Sequence, residues 1–171
     1  MGAAKLAKKH DSPVFVSDMG PISAAAKQEL IELEIDFEEN GHQIIYDVIP
    51  MLIIKSPGIP DHAAPVKHFN QIGVKIVSEI EFAFRYCKGK IIGITGSNGK
   101  TTTTNLCYHI LNANGYDVQK VGNVGYSFAR SLSERDAAYY VIELSSFQLD
   151  GIELFKPDIA ILLNITPDHL D

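Results

Sequence analysis

An α/β fold built on parallel sheets is what this sequence predicts, on three observations. Short apolar runs of strand length recur along the chain, and helical spacings of apolar residues lie between them. One run, Lys90–Thr95, feeds a glycine-rich turn that opens a further helix. In chain order, residues 4–10 read as the end of a helix, and residues 14–18 (VFVSD) as a short strand ending in an acid. Residues 24–33 place Ala26, Leu30 and Leu33 at helical spacing. Residues 51–58 (MLIIKSPG) form a buried-type strand running into a turn. Pro65 can start a helix with Val66 and Phe69 inward. Residues 74–78 (VKIVS) are another strand. Ser78 and Glu81 then have the spacing of a capping box, with Ile80, Ala83, Phe84 and Cys87 on one face of the helix that follows. After the strand at 90–95 and its turn, a helix is expected to bury Leu106, Cys107, Ile110 and Leu111, with Gly115 at its end. Residues 138–144 and 157–165 are two more apolar strands.

The totals agree with a globular chain. Its 171 residues suffice for one ordinary domain or two small ones, and 46% hydrophobic residues can supply a core. The net charge of −6, with no basic run beyond Lys8-Lys9, argues against a nucleic-acid groove, which needs clustered Lys and Arg. Cys87 and Cys107 fit no metal spacing and read as buried free thiols. No signal peptide is evident, and no apolar run approaches the ~20 residues of a membrane span, so a cytoplasmic protein without membrane insertion is expected. The stretch Cys87–Lys90 is the most plausible boundary, dividing the chain into domains at 1–89 and 90–171. Both ends read as cut, because Met1 falls at a helix start and Asp171 in a loop just after a strand.

Residues 91–104 read IIGITGSNGKTTTT. A strand, a glycine turn and a helix start in succession are what a polyphosphate requires. Glycines let backbone N–H groups turn inward, the helix N-terminus adds partial positive charge, and Lys100 reaches the outer phosphates. Gly96, Ser97, Asn98, Gly99, Lys100, Thr101, Thr102 and Thr103 are the candidate cradle. The Thr101 hydroxyl is placed to ligate Mg²⁺. The strict G-x-x-x-x-G-K-[ST] pattern fails at one point: position 94 is Ile, and Gly93 lies one residue early. A Mg-nucleotide site also needs a nearby carboxylate, and Glu143 ends an apolar strand where parallel sheets place ligand groups. Alone, it would pass as an ordinary strand-end acid. His10, His42, His62, His68 and His109 show no ligand spacing and read as surface residues.

Four segments in order carry a resemblance: ITGSNGKTTTT (94–104), GNVG (122–125), VIELSSFQL (141–149) and LLNITPDHLD (162–171). Their order and approximate spacing resemble the Mur ligases, the ATP-dependent amide-bond formers of cell-wall synthesis. ELSSFQL resembles the D-glutamate-adding (MurD) type, and SPGIP (56–60) and SEIEF (78–82) resemble the end of that type's N-terminal domain. The resemblance implies a partial Rossmann-like, UDP-binding domain over 1–89, lacking its first strand and Gly-rich turn. Residues 90–171 would be the first part of a P-loop ATPase-type, ATP-binding domain. It implies ATP and Mg²⁺ as cofactors, with Lys100 on the transferred phosphate and Thr101 and Glu143 on one Mg²⁺. His169 would hold a second, supported by Asp168. Asn123, Ser145 and Gln148 would contact the muramoyl substrate. Asp18 would lie near the uridine, with Ser56, Pro57 and Gly58 lining the same pocket. The implied reaction adds D-glutamate to UDP-N-acetylmuramoyl-L-alanine through an acyl phosphate, in a protein monomeric at full length. Family members carry further segments, among them a lysine that serves the second metal and a whole C-terminal domain. The 171 residues alone are therefore expected to be inactive. The alternatives are another Mur ligase, a folylpolyglutamate synthetase-like ligase, or a non-catalytic nucleotide-binding remnant.

Overall fold

The computed structural model describes residues 1–166, and strands alternate with helices through most of them. The first half runs α1 (Gly2–Lys9), β1 (Phe15–Ser17), α2 (Ala24–Glu32), β2 (Asp36–Glu38), a 3₁₀ turn (Ile44–Asp47), β3 (Leu52–Lys55), α3 (Ala64–Gln71), β4 (Lys75–Ser78) and α4 (Glu79–Phe84). The second half runs β5 (Lys90–Thr95), α5 (Lys100–Ala113), β6 (Val118–Gly122), α6 (Phe128–Glu134), β7 (Tyr139–Glu143), α7 (Ser146–Leu149) and β8 (Ile159–Leu162). Every strand pair is parallel: β1 with β2, β3 with β4, and a four-stranded sheet in the order β6-β7-β5-β8. The α/β class expected from the sequence is the one observed.

The middle of the large sheet shows why continuous apolar runs rather than alternating ones mark these strands. In β7, Tyr140, Val141 and Ile142 are all fully buried, as is Ile94 of β5. Both faces are covered, which is the normal condition of a parallel sheet. On one face lie α4 and α6 with Ile80, Ala83, Phe128 and Leu132. On the other, Cys107, Tyr108 and Leu111 of α5 pack against Ile94, Val118 and Val141. The largest core cluster draws on both sides of Gly89–Lys90, joining Leu6, Val77 and Ile80 to Phe128, Tyr140 and Ile142. Polar contacts bridge the same seam: Lys9 donates to Leu132 O at 2.8 Å, and Arg130 meets Glu29 at 3.1 Å.

Two local expectations are corrected. In α5, Leu106 and Ile110 are exposed at 55% and 51%, and the buried residue is Thr104. Positions 104, 107, 108 and 111 form the i, i+3, i+4, i+7 stripe that meets the sheet, so 106 and 110 point away from it. At α4 only half of the capping box forms. Ser78 Oγ accepts from Glu81 N at 3.2 Å, but the Glu81 carboxylate turns elsewhere, accepting from the backbone N–H groups of Glu153, Leu154 and Phe155 at 2.9 Å each. Three tertiary donors outcompete the single one at the helix start. The elements that escaped the sequence reading, β2, β6, α6 and α7, are short; β6 and α6 also carry polar residues within the span, such as Gln119, Lys120, Arg130 and Ser131.

Candidate functional site

The site forms at the C-terminal edge of the large sheet, where parallel-sheet proteins collect their ligand groups. Strand β5 ends at Thr95, residues 96–99 turn, and α5 starts at Lys100. Gly96 (φ +138°) and Gly99 (φ +86°) adopt backbone conformations that L side chains rarely take. A Cβ at Gly96 would also lie 3.0 Å from Asn164 O and 3.1 Å from Asn164 N. The glycine is thus required twice, for its dihedral and for the close passage of the chain leaving β8. The first N–H groups of α5 have no acceptor within the helix and face the turn. The Lys100 ammonium folds back over the loop, donating to Gly96 O at 2.6 Å and Ser97 O at 2.9 Å. Those two carbonyls hold it over the loop.

Strand β7 lies beside β5, with Ile94 in register with Glu143. This pairing brings the Glu143 carboxylate under the helix start. Thr101 Oγ1 donates to Glu143 Oε2 at 2.9 Å, and Asn123 Nδ2 donates to Glu143 Oε1 at 3.0 Å. Asn123 N also donates to Glu143 O at 3.0 Å, anchoring the turn after β6 to the same residue. Glu143 is 1% exposed, and neither of those side-chain partners carries a charge. A buried carboxylate beside a hydroxyl at the start of a helix is a hard oxygen donor set of the kind Mg²⁺ takes while keeping phosphate and water ligands. The residues present therefore fit that ion.

Sequence-predicted residues fall into three groups. Thr101, Glu143 and Asn123 are joined by hydrogen bonds beside the loop and helix start formed by Gly96–Thr103, where Lys100 folds back on Gly96 and Ser97. Ser145 and Gln148 lie just beyond Glu143 and are engaged with each other: Ser145 Oγ accepts from Gln148 N at 3.3 Å, and Ser145 N donates to Gln148 Oε1 at 2.9 Å, a complete capping box for α7. Asp18 and Ser56-Pro57-Gly58 follow the C-terminal ends of β1 and β3, in two other sheets. Asp18 Oδ1 accepts from Gly20 N at 2.9 Å, and Ile59 N donates to Ser56 O at 3.0 Å. His169 and Asp168 lie outside the described residues.

Two features went unread. Glu38, buried at the end of β2, accepts from the backbone of Gln43, Ile44 and Ile45 and from Ser17 Oγ, all at 2.7–3.0 Å. Burial pushes its carboxyl up, but these donors outweigh it and hold the pKa below the usual carboxylate value. It organises the loop beyond Asp18, and nothing local in DFE announces that. The other feature is the segment Asn164–Thr166, which grips the phosphate loop. It lies inside the segment LLNITPDHLD, where the resemblance implies roles for Asp168 and His169 alone.

Fold and site together define a parallel α/β protein in which a strand, glycine turn and helix start lie beside a buried carboxylate. Residues 94–171 match the model of the Mur ligase middle domain and residues 3–64 that of the MurD N-terminal domain. The chain belongs to the Mur ligase family. It is 50% identical over 173 residues to the UDP-N-acetylmuramoylalanine–D-glutamate ligase of Christiangramia forsetii, and 52% identical over 171 residues to that of Porphyromonas gingivalis. Each alignment covers 100% of this chain and 38% of the relative, so the chain spans well under half the length of those proteins. Among solved structures, the UDP-N-acetylmuramate:L-alanyl-γ-D-glutamyl-meso-diaminopimelate ligase of Neisseria meningitides superposes with a TM-score of 0.64 at 20% identity, over 99% of this chain and 58% of that one. The murein peptide ligase of Psychrobacter arcticus gives 0.61 at 20% identity, over 98% and 41%. At that identity the two structures speak for the fold.

Proposed function

We propose that this chain carries the phosphate and muramoyl side of a ligase that adds D-glutamate to UDP-N-acetylmuramoyl-L-alanine, driven by ATP. The observation that carries the reading is the buried Glu143 carboxylate hydrogen-bonded at 2.9 Å to Thr101, the residue following the phosphate-loop lysine. Residues 1–89 form the UDP-sugar side, with Asp18 and Ser56–Gly58 at strand ends, and residues 90–171 the ATP side. In the full-length protein the substrate carboxylate attacks the γ-phosphorus, ADP leaves, and the amine of D-glutamate displaces phosphate from the acyl phosphate. Negative charge accumulates on crowded oxygens in both steps, so fixed donors and cations provide most of the acceleration. Within the cradle of residues 96–103, the N–H groups of Gly99, Lys100, Thr101 and Thr102 hold the phosphates, those of Ser97 and Asn98 being engaged by Asn164 and that of Thr103 by Gly99 O. Lys100 exchanges its two carbonyl partners for the transferred phosphoryl oxygens. Thr101 and Glu143 would hold Mg²⁺, which supplies charge neutralisation between the phosphates. Asn123, tied to Glu143 through side chain and backbone, places the muramoyl chain against them. Among the described residues no helix is long and apolar enough to cross a membrane. We read the protein as cytoplasmic and monomeric, and the 171 residues alone as able to bind but not to turn over.

Two measurements test this. Lys100→Ala should remove a charge-assisted contact of about 1.5–3 kcal/mol, roughly tenfold or more in MgATP affinity by calorimetry. Equal binding by variant and parent would remove the phosphate-loop assignment. Labelled D-glutamate should enter UDP-N-acetylmuramoyl-L-alanine with the full-length gene product and not with the 171-residue chain. Activity of the full-length protein with a different amino acid instead would leave the family standing and overturn the substrate.

A further inference from the structure

The chain leaving β8 continues the ladder past the formal strand ends. Leu162 pairs with Thr95, Leu163 N donates to Thr95 O at 3.0 Å, and Ser97 N donates to Asn164 O at 3.0 Å. That register sets the Asn164 side chain against the tip of the phosphate loop. Its amide makes a two-way clasp on one peptide residue: Asn98 N donates to Asn164 Oδ1 at 2.9 Å, and Asn164 Nδ2 donates to Asn98 O at 2.9 Å. Thr166 adds a second clasp, donating through its N–H to Ser97 Oγ at 2.9 Å while Ser97 Oγ donates to Thr166 O at 2.9 Å. These groups are exposed, where water could take either partner's place, so the clasps select a loop shape more than they stabilise the fold. An anion-binding turn works only if its N–H groups converge on the ligand. The Asn98 peptide precedes Gly99, Lys100 and Thr101, so its orientation decides where their N–H groups point.

We propose that Asn164 is a positioning residue of the nucleotide site. Its carboxamide fixes the Asn98 peptide and so presents the following N–H groups and Lys100 to the triphosphate. The inference rests on the reading of residues 96–103 as the ATP-phosphate loop. A side-chain amide is required, because only it offers one donor and one acceptor at this spacing. A carboxylate at the same place keeps the acceptor, loses the donor, and sets a negative charge beside the phosphates.

The test uses the full-length protein and the variants Asn164→Asp, Asn164→Ala and Lys100→Ala. Dissociation constants are measured for MgATP and, separately, for UDP-N-acetylmuramoyl-L-alanine, together with the ligand-free melting temperature. The expected result is MgATP affinity at least tenfold weaker in Asn164→Asp and several-fold weaker in Asn164→Ala. Muramoyl-substrate affinity should stay within twofold and the melting temperature within about 2 °C in both. MgATP affinity within twofold of the parent for both Asn164 variants, alongside a weakened Lys100→Ala, overturns the positioning role and leaves the phosphate site in place. Parallel loss of both ligands with a lowered melting temperature also overturns it, showing a merely structural residue. Unchanged MgATP binding in Lys100→Ala overturns the reading beneath.

Discussion

Replacing Glu81 tests how the loop that leads to the site is held. The side chain is fully buried, and one carboxylate oxygen accepts all three backbone N–H groups of Glu153, Leu154 and Phe155 at 2.9 Å. Those residues lead from α7 into β8, and β8 delivers Asn164 to the phosphate loop. In Glu81→Ala the N–H of buried Phe155 loses its acceptor, which costs about 1–3 kcal/mol. The other two lie in exposed residues that water can reach, and their weakened bonds add about 1 kcal/mol. The expected loss is about 2–4 kcal/mol, or about 5–15 °C in melting temperature for a chain of this size. Glu81→Gln should fall between variant and parent. It keeps an acceptor for the three donors, but its NH₂ takes the place of an oxygen that has no hydrogen-bond partner and lies 3.8 Å from Arg85. The pH dependence has a definite sign. Burial raises the Glu81 carboxyl, yet the three N–H groups and Arg85 outweigh burial and hold its pKa below the ordinary 4.5. A depressed carboxylate stabilises the fold above the unfolded value and loses that contribution as pH falls through the folded one. The gap between parent and Glu81→Ala should therefore be full at pH 7 and shrink below about pH 4.5. Thermal melts followed by circular dichroism at pH 7, 5 and 4 decide the matter. A Glu81→Ala melt within 2 °C of the parent at pH 7, or a gap that widens on acidification, would refute the reasoning.

Glu79, two residues earlier, should behave with the opposite sign. Burial pushes its carboxyl above 4.5 despite hydrogen bonds from Ala129 N and Ser127 and the nearby N-terminal ammonium. Its contribution is then present below pH 4.5 and lost as pH rises through the folded pKa. Glu79→Gln should melt above the parent at pH 7 and approach it near pH 4, and a lower melt at pH 7 would contradict the burial argument. Gly96→Ala should cost roughly 1–3 kcal/mol for the forced dihedral alone. It should also abolish measurable MgATP binding, because the added carbon meets Asn164 backbone at 3.0 Å. Retained nucleotide affinity in calorimetry would show that the loop can relax away from β8.

Features that depend on neighbours in sequence were legible. The run 90–101 displays strand, glycine turn and helix start in consecutive residues, and the structure places those elements there. Ser78 reads as a cap because its hydroxyl needs to reach only three residues ahead. Apolar runs such as Tyr140–Ile142 mark interior strands because both faces of a parallel sheet are covered. Glu143 reads as the carboxylate of a Mg-nucleotide site because it ends an apolar strand, and Thr101 as a Mg²⁺ ligand because it follows the loop lysine. The 2.9 Å hydrogen bond between them depends on β7 lying beside β5 in that register.

Everything that depends on which elements become neighbours was decided by the tertiary structure. Strand order β6-β7-β5-β8 is a property of chain crossings that no local pattern encodes. Leu106 and Ile110 look as apolar as Leu111, and only the rotational setting of α5 on the sheet leaves them outside. Glu81 has the spacing of a helix cap and serves instead as an acceptor for a loop more than seventy residues away. Asn164 appears in sequence as one polar residue after a strand, and becomes a clasp because the β5–β8 register sets its amide against the Asn98 peptide. The sequence by itself determined the α/β class, the strand, glycine turn and helix start over residues 90–101 with Lys100 among them, and the carboxylate at the end of β7. Their chemistry is carried by residue type and short-range spacing. The partners of Glu38, Glu81 and Asn164 came only with the fold, because a long-range hydrogen bond depends on where a second segment lies, and packing of the whole core settles that.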